Sequence, residues 1–480
     1  MIIETPFGSS GNKYKFLGDA TIINGYPEVR ETGGRARYVI LPDPGMVSFC
    51  SVTDTPCRGA VYLEDLDSIR AVHSGSVYSV SSSGTATRLG TIPGIDNVVI
   101  CRNKKATPQT IIRTAVGVYV EENGAVRKMI GNEFGAGDNV NDIDNCTWVE
   151  NQGGYTIFLF ETGMFGISSQ NEATETDPLD FGTAEQTPDK AVAIKAIGDG
   201  IIIFKQYNAE FWRNTGAADF PYEPIPGAVI KKGLLAAHSL REFDNSLVWV
   251  GVTREGDRAV YRLNGYQPVK ISTPEVDRAI AAEASPENIE GMAYSFDGHA
   301  FYTITGEGFS FTYDAASQVW HPKNSNSLDY WRAKVAISAW NKVIVGDRLT
   351  GSLYSLSTST YTEAGDTLIW KIRTPTMHAF PNGGVIDALS IGFLAGQGVM
   401  SPTAQGYEPK LMVRKSVDGG NTFGPERLID TGKQGKYRTR IKTRRLGRFD
   451  EKGCVFEFSM SDPVGRGLDL IDAQVRPLRR

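Results

Sequence analysis

Three groups of side chains in this 480-residue sequence have the types and spacing that chemistry could use. The first is the acidic, turn-rich stretch 134–145, FGAGDNVNDIDN, whose Asp138, Asp142 and Asp144 invite a calcium reading. An EF-hand loop needs oxygen ligands at its positions 1, 3, 5 and 12, and Val140 stands at position 3. The expectation is therefore an ordinary solvated loop with no metal. The second group is Ser416-Val417-Asp418-Gly419-Gly420-Asn421-Thr422-Phe423, and the third is the cationic run at 438–448. Outside these the chemistry is sparse. No phosphate-cradling glycine loop, HExxH pair, GxSxG elbow or dinucleotide fingerprint occurs. The five histidines, His73, His238, His299, His321 and His378, are scattered singly, as turn and core histidines are. Carboxylates are abundant, so a pair at glycosidase spacing stays open. No catalytic, cofactor or metal site is expected.

The second group has the form of the Asp-box hairpin of sialidase propellers, with Phe423 in place of tryptophan. In that device the aspartate bonds the amides of its own turn, so Asp418 is expected to hold a hairpin and not to catalyse. In the third group, Arg438, Arg440, Lys442 and Arg444 fall on one face if 437–446 is a strand, with Arg445 and Arg448 close behind. Three uses stay open. The face could be solvated and paired with acids of a neighbouring strand. It could form an assembly interface, since guanidinium groups suit bidentate carboxylate pairing. Or it could grip phosphate, which a net charge of −5 disfavours.

The elements that would carry these groups are strands. Residues 293–321 read as strand, tight turn at Asp297-Gly298, strand, turn and strand, with two-residue alternation through Phe301, Thr303 and Thr305. Similar units start near Val72, Ile111, Tyr155, Ile201, Leu247, Ala300 and Lys342. That spacing, roughly 40 to 50 residues, is the repeat of β-propeller blades. The seven starts are taken as six blades, one start being false or belonging elsewhere. An all-β protein follows, with a propeller at 66–370, an extended segment at 1–65 and a β-sandwich-like platform at 371–480. The terminal segments 1–65 and 371–480 are expected to pack together. Residues 172–188 are expected to be a polar surface excursion, and 274–289 a helix capped by Thr273 with Pro274 at its first position. Trp320 is expected to be buried between sheets. The five cysteines lack CxxC spacing and are read as buried, reduced thiols of a protein made in the cytoplasm. Neither a membrane-spanning run nor a signal peptide is read from the sequence.

An ordered series of short stretches then carries a family resemblance over nearly the whole length. It runs INGYPE at 23–28, LPDPG at 41–45, FGTAEQTPD at 181–189, EFWRNTG at 210–216 and VYRLNG at 260–265. It continues through KIST at 270–273, GHAFY at 298–302, YD at 313–314 with VWH at 319–321, VGD at 345–347 and GSLY at 351–354. RRLGR at 444–448 and MSDPV at 460–464 close it. Together they resemble the packaged-DNA stabilisation, or tail nozzle, family of short-tailed bacteriophages. The resemblance implies a structural virion protein of the phage tail, assembled in the host cytoplasm. It also implies a homohexameric tube below the portal and adaptor that retains double-stranded DNA and releases it at infection. Implied partners are the adaptor, a tail fibre or tailspike and a tail needle, with DNA passing through without tight binding. On this reading Arg438, Arg440, Lys442, Arg444, Arg445 and Arg448 form the candidate assembly interface. The alternative is a propeller glycosidase or carbohydrate-binding module acting on host surface glycans.

Overall fold

The computed structural model describes residues 2–9, 11, 20–30, 36–130, 134 and 142–478. Among them the strands form nine sheets, and seven of these are successive antiparallel blades. The second strands of the blades are Ser68–His73, Thr110–Thr114, Tyr155–Leu159, Gly200–Lys205, Ser246–Val252, His299–Thr305 and Lys342–Asp347. Each holds one of the seven expected starts, so the propeller has seven blades and not six. No start was false.

Burial explains why second strands are the legible ones. Gly200–Lys205 is buried at every position, because a blade is covered on both faces by its neighbours and needs apolar side chains on both. Outermost strands such as Ala125–Lys128 and Gln267–Lys270 are largely exposed. The expected excursion at 172–188 is in fact such an edge: Glu172–Thr183 is a twelve-residue outer strand of the third blade. Its polarity reflects solvent on its open side, not the lack of pairing.

Ring closure uses the amino-terminal segment. Gly45–Thr53 is the outer strand of the last blade, antiparallel to Gly351–Ser357, and the chain then enters Cys57–Leu63, the inner strand of the first blade. A Cβ at Gly351 would collide with the Thr53 carbonyl, so the closing pair needs glycine there. The segment 1–65 therefore divides. Its strands Ile2–Ile3, Thr21–Ile23, Gly25–Val29 and Tyr38–Pro42 join two further sheets, whereas residues beyond 44 belong to the propeller.

Those two sheets are a sandwich. One has the order 25–29, 38–42, 468–477, 384–393, 442–449, and the other 21–23, 370–373, 455–460, 410–416, 427–430. Ile22, Trp370, Ile386, Leu389, Val413, Phe456, Phe458 and Leu468 fill the space between them. The helix is shorter than expected, Pro274–Ala282, with Pro286 opening a separate 3-10 turn. Thr273 precedes it in extended conformation without a side-chain cap bond. All five cysteines are buried and free, and burial pushes the Cys454 thiol up to about 12.

The hinge point between sandwich and ring is Asp43, 2% exposed. Its carboxylate lies 3.4 Å from Lys323 Nζ and 3.6 Å from His321 Nε2, both on the sixth blade. Burial pushes its pKa upward, but the Lys323 and His321 charges outweigh this and hold it below the ordinary 3.8. A depressed carboxyl adds stability that is present above the unfolded-state pKa and is lost as pH falls. Asp43→Asn is expected to cost about 3–5 kcal/mol at pH 7 by leaving Lys323 buried without its partner. In denaturant melts the gap from wild type should narrow as pH falls below 3.8. Trp320 is 2% exposed and donates to the Ile271 carbonyl at 2.7 Å. Trp320→Ala should lose about 3–5 kcal/mol; a loss below about 1 kcal/mol in the same melts would contradict its burial.

Candidate functional site

The cationic run is not one regular strand. Residues 437–441 are irregular, and pairing begins only at Lys442–Phe449. Inside that strand Arg445 has φ 58. Arg445 and Leu446 stand against the single residue Asp387, since Ile386 faces Gly447 and Ala388 faces Arg444. This bulge resets the alternation. Leu446 and Phe449 turn into the core, while Arg444, Arg445 and Arg448 stay exposed and Lys442 is half-buried. The expected single face at period two is thus corrected to a cluster spread over a bulged edge and the irregular segment bearing the exposed Arg438 and Arg440.

Among the described residues none of these six cations forms an ion pair. Asp387, the acid on the adjacent strand, is taken by Arg476 at 2.8 Å. The edge backbone is also occupied. Arg427 donates to the Arg444 carbonyl at 2.6 Å and to that of Arg445 at 2.8 Å, and Lys415 donates to the Arg448 carbonyl at 3.0 Å. Another strand is therefore not expected to add here; what the edge offers is charge. Beside it lies a cleft of about 730 Å³ lined by Tyr437, Arg440, Ile441, Lys442, Leu394 and Asp472, among others.

The Asp418 hairpin has the expected form. Both carboxylate oxygens accept from the Thr422 amide, at 2.9 and 3.0 Å, and the Thr422 hydroxyl donates at 2.6 Å. Ser416 Oγ donates to Asp418 at 2.7 Å and accepts from the Gly420 amide at 2.8 Å. The Thr422 bonds lead in holding the Asp418 pKa far below the usual carboxylate range. A carboxylate so committed is a poor general acid. Phe423 lies under Arg373 and Arg414, at 5.0 and 5.3 Å, and both arginines bond the buried Glu457. In the acidic loop Asp138 lies outside the described residues. Asp142 accepts from the Asp144 amide, and Asp144 pairs with Lys128 at 2.6 Å. No cluster of three or more metal-ligating side chains occurs among the described residues.

Sequence reasoning missed a third place. The inner strands of all seven blades, with the turn before the inner strand of the fifth, surround an open cavity of about 450 Å³. Lys195 crosses between blades there, 2.7 Å from Glu150 and 3.1 Å from Glu242. Glu290 receives Arg348 at 2.6 Å and lies 3.5 Å from Lys334. These residues come from different blades, and only ring closure brings them together. Asp418→Ala is expected to speed hydrogen exchange at the Thr422 and Gly420 amides without moving the global melting transition. A global loss would assign the hairpin a larger role.

The comparisons with known proteins bear on the fold and the family. Two solved structures are similar in part. A computationally designed protein, Ika8, is 9% identical with TM-score 0.38, over 65% of this chain and 99% of that one. PorZ, a bacterial surface component of the type-IX secretion system of Porphyromonas gingivalis, is 12% identical with TM-score 0.39, over 72% of this chain and 44% of PorZ. No curated protein matches. Two family models match in succession: bacteriophage P22 Gp10, beta-propeller, over residues 6–361, and bacteriophage P22 Gp10, beta-sandwich, over residues 369–476. With the ring and the sandwich each matched in its place, the chain belongs to the bacteriophage P22 Gp10 family of DNA-stabilisation proteins.

Proposed function

We propose that this phage structural protein is a tail nozzle subunit. Six copies form a tube below the portal and adaptor, hold packaged double-stranded DNA in the head and conduct it during ejection. Its place is the virion tail, assembled in the host cytoplasm, with the adaptor, a tail fibre or tailspike and a tail needle as neighbours. The reading gives the chain no catalytic role and no cofactor. Family membership supports the coarse assignment.

The observation that carries the finer one is the group Arg438, Arg440, Lys442, Arg444, Arg445 and Arg448. Among the described residues these six cations have no carboxylate partners, and they sit on the sandwich of a chain whose net charge is −5. Unpaired guanidinium groups beside a cleft suit carboxylates of an adaptor or of a neighbouring copy. A lumen of net negative sign would let DNA slide, because a phosphate-gripping wall would hold it. The glycan reading rests on the Asp418 hairpin, whose carboxylate is used up by its own turn.

Arg440→Glu with Arg444→Glu is expected to stop ring formation or docking on filled heads, which then lose DNA. Light scattering on the purified chain reads the six-fold mass, and a complementation assay scores filled heads. Wild-type protein should not shift duplex DNA at physiological salt. Normal assembly by the double variant, together with strong DNA retention by wild type across a salt series, would overturn the docking assignment.

A further inference from the structure

The cavity on the propeller axis has an imbalance that its own ion pairs do not remove. Four cations line it, Arg58, Lys195, Arg241 and Lys334, against three carboxylates, Glu150, Glu242 and Glu290. All three carboxylates are engaged: Glu150 and Glu242 by Lys195, and Glu290 by Lys334 and by Arg348. Among the described residues, Arg58 and Arg241 have no carboxylate within ion-pair distance. Arg58 is 4% exposed and spends its donors on the carbonyls of Asp96, Ser74 and Pro93. Arg241 donates through one nitrogen to the Leu240 carbonyl at 2.7 Å, which leaves most of its five N–H donors for the cavity.

Two further groups await a partner in the same space. Trp148 is 6% exposed, lines the cavity, and its buried indole N–H has no acceptor among the described residues. His238, with its ring centroid 5.9 Å from that of Trp148, is held down to about 4 by burial and then by the Arg241 charge. It is therefore neutral at pH 7 and can donate or accept without adding charge. A half-buried guanidinium with spare donors and a buried indole N–H gain free energy when something accepts their hydrogen bonds. A guanidinium fork, an indole N–H and a neutral imidazole are a donor set for oxygen anions. The volume, about 450 Å³, lies within the range of small-molecule sites.

We infer that the axial cavity of the propeller binds a small oxyanion, a phosphate or a carboxylate, between Arg241 and Trp148. The inference is independent of the nozzle reading, since no residue of the cationic sandwich edge takes part.

The test uses the full chain, with potassium phosphate and potassium acetate as separate probes. Each is titrated by calorimetry and by thermal melting against potassium chloride at equal ionic strength. A saturable rise in Tm with one anion per chain is expected for at least one probe, and the responding probe names the head group. Trp148→Phe, which removes the N–H donor together with the pyrrole half of the ring, should weaken binding by about tenfold. Arg241→Met should abolish it while leaving the Tm without anion equal or higher, because a half-buried charge with no carboxylate partner among the described residues has been removed. If Arg241→Met does not fold, Arg241→Lys replaces it and should weaken binding by about tenfold, a point charge standing in for the fork. No saturable rise over chloride with either probe overturns the inference. So does a rise that the variants leave unchanged.

Discussion

The pairing of Gly45–Thr53 with Gly351–Ser357 is the contact on which the rest of the molecule depends. Seven blades stacked by local hairpins form an arc whose first and last inner strands still have to meet. Closing that arc brings together residues some three hundred positions apart, at a loop-closure cost in chain entropy that only the finished ring offsets. The closing strand comes from the amino-terminal side, just ahead of the first blade. The same stretch of chain therefore leaves the sandwich at Pro42, turns through buried Asp43 and fastens the ring within a few residues. Sandwich and propeller are tied at the same place. Asn24 adds to this tie, donating to the Asn324 and Ile369 carbonyls and accepting from the Asn324 amide.

Charge is distributed in three ways. Between blades it is buried and paired: Arg70 on the first blade meets Glu121 on the second at 2.9 Å, both nearly inaccessible. Such pairs add little net stability but penalise any misregistered stacking, because a slipped blade would strand a charge. On the axis the pairing is incomplete, in favour of cations. At the edge of the sandwich six cations, five of them exposed and Lys442 half-buried, have no ion-pair partner among the described residues. The first setting concerns how the ring is built, while the other two concern what it meets.

The hairpin devices follow a similar division between local and distant causes. Asp297 and Gly298 take positive φ values of 51 and 81, the geometry of a two-residue turn between twisted strands. Asp418 organises its turn with partners no more than four residues away. These features are complete within a few residues of sequence. The Asp43 and Lys195 clusters are not.

Local chemistry and periodicity made much of the fold legible in the sequence alone. All seven second strands, the Asp418 turn, the buried Trp320, and the change of texture into a sandwich follow from apolar runs, alternation and turn residues. These signals need no knowledge of what packs against what. The ordered family stretches extend that legibility to function at the level of a phage structural protein. Only the tertiary structure decided the blade count, because the amino-terminal strand that completes the seventh blade carries no sign of a partner so far along the chain. It likewise showed Glu172–Thr183 to be an edge strand, since an edge faces solvent and loses the alternation that betrays a strand. The positive φ at Arg445 turned an expected face of four aligned cations into a scattered group; one residue of bulge reverses every side chain beyond it. The axial cavity could be seen in no single stretch. Its residues come as short pieces, one to four residues long, from seven blades, and closure of the ring is the only event that places them together.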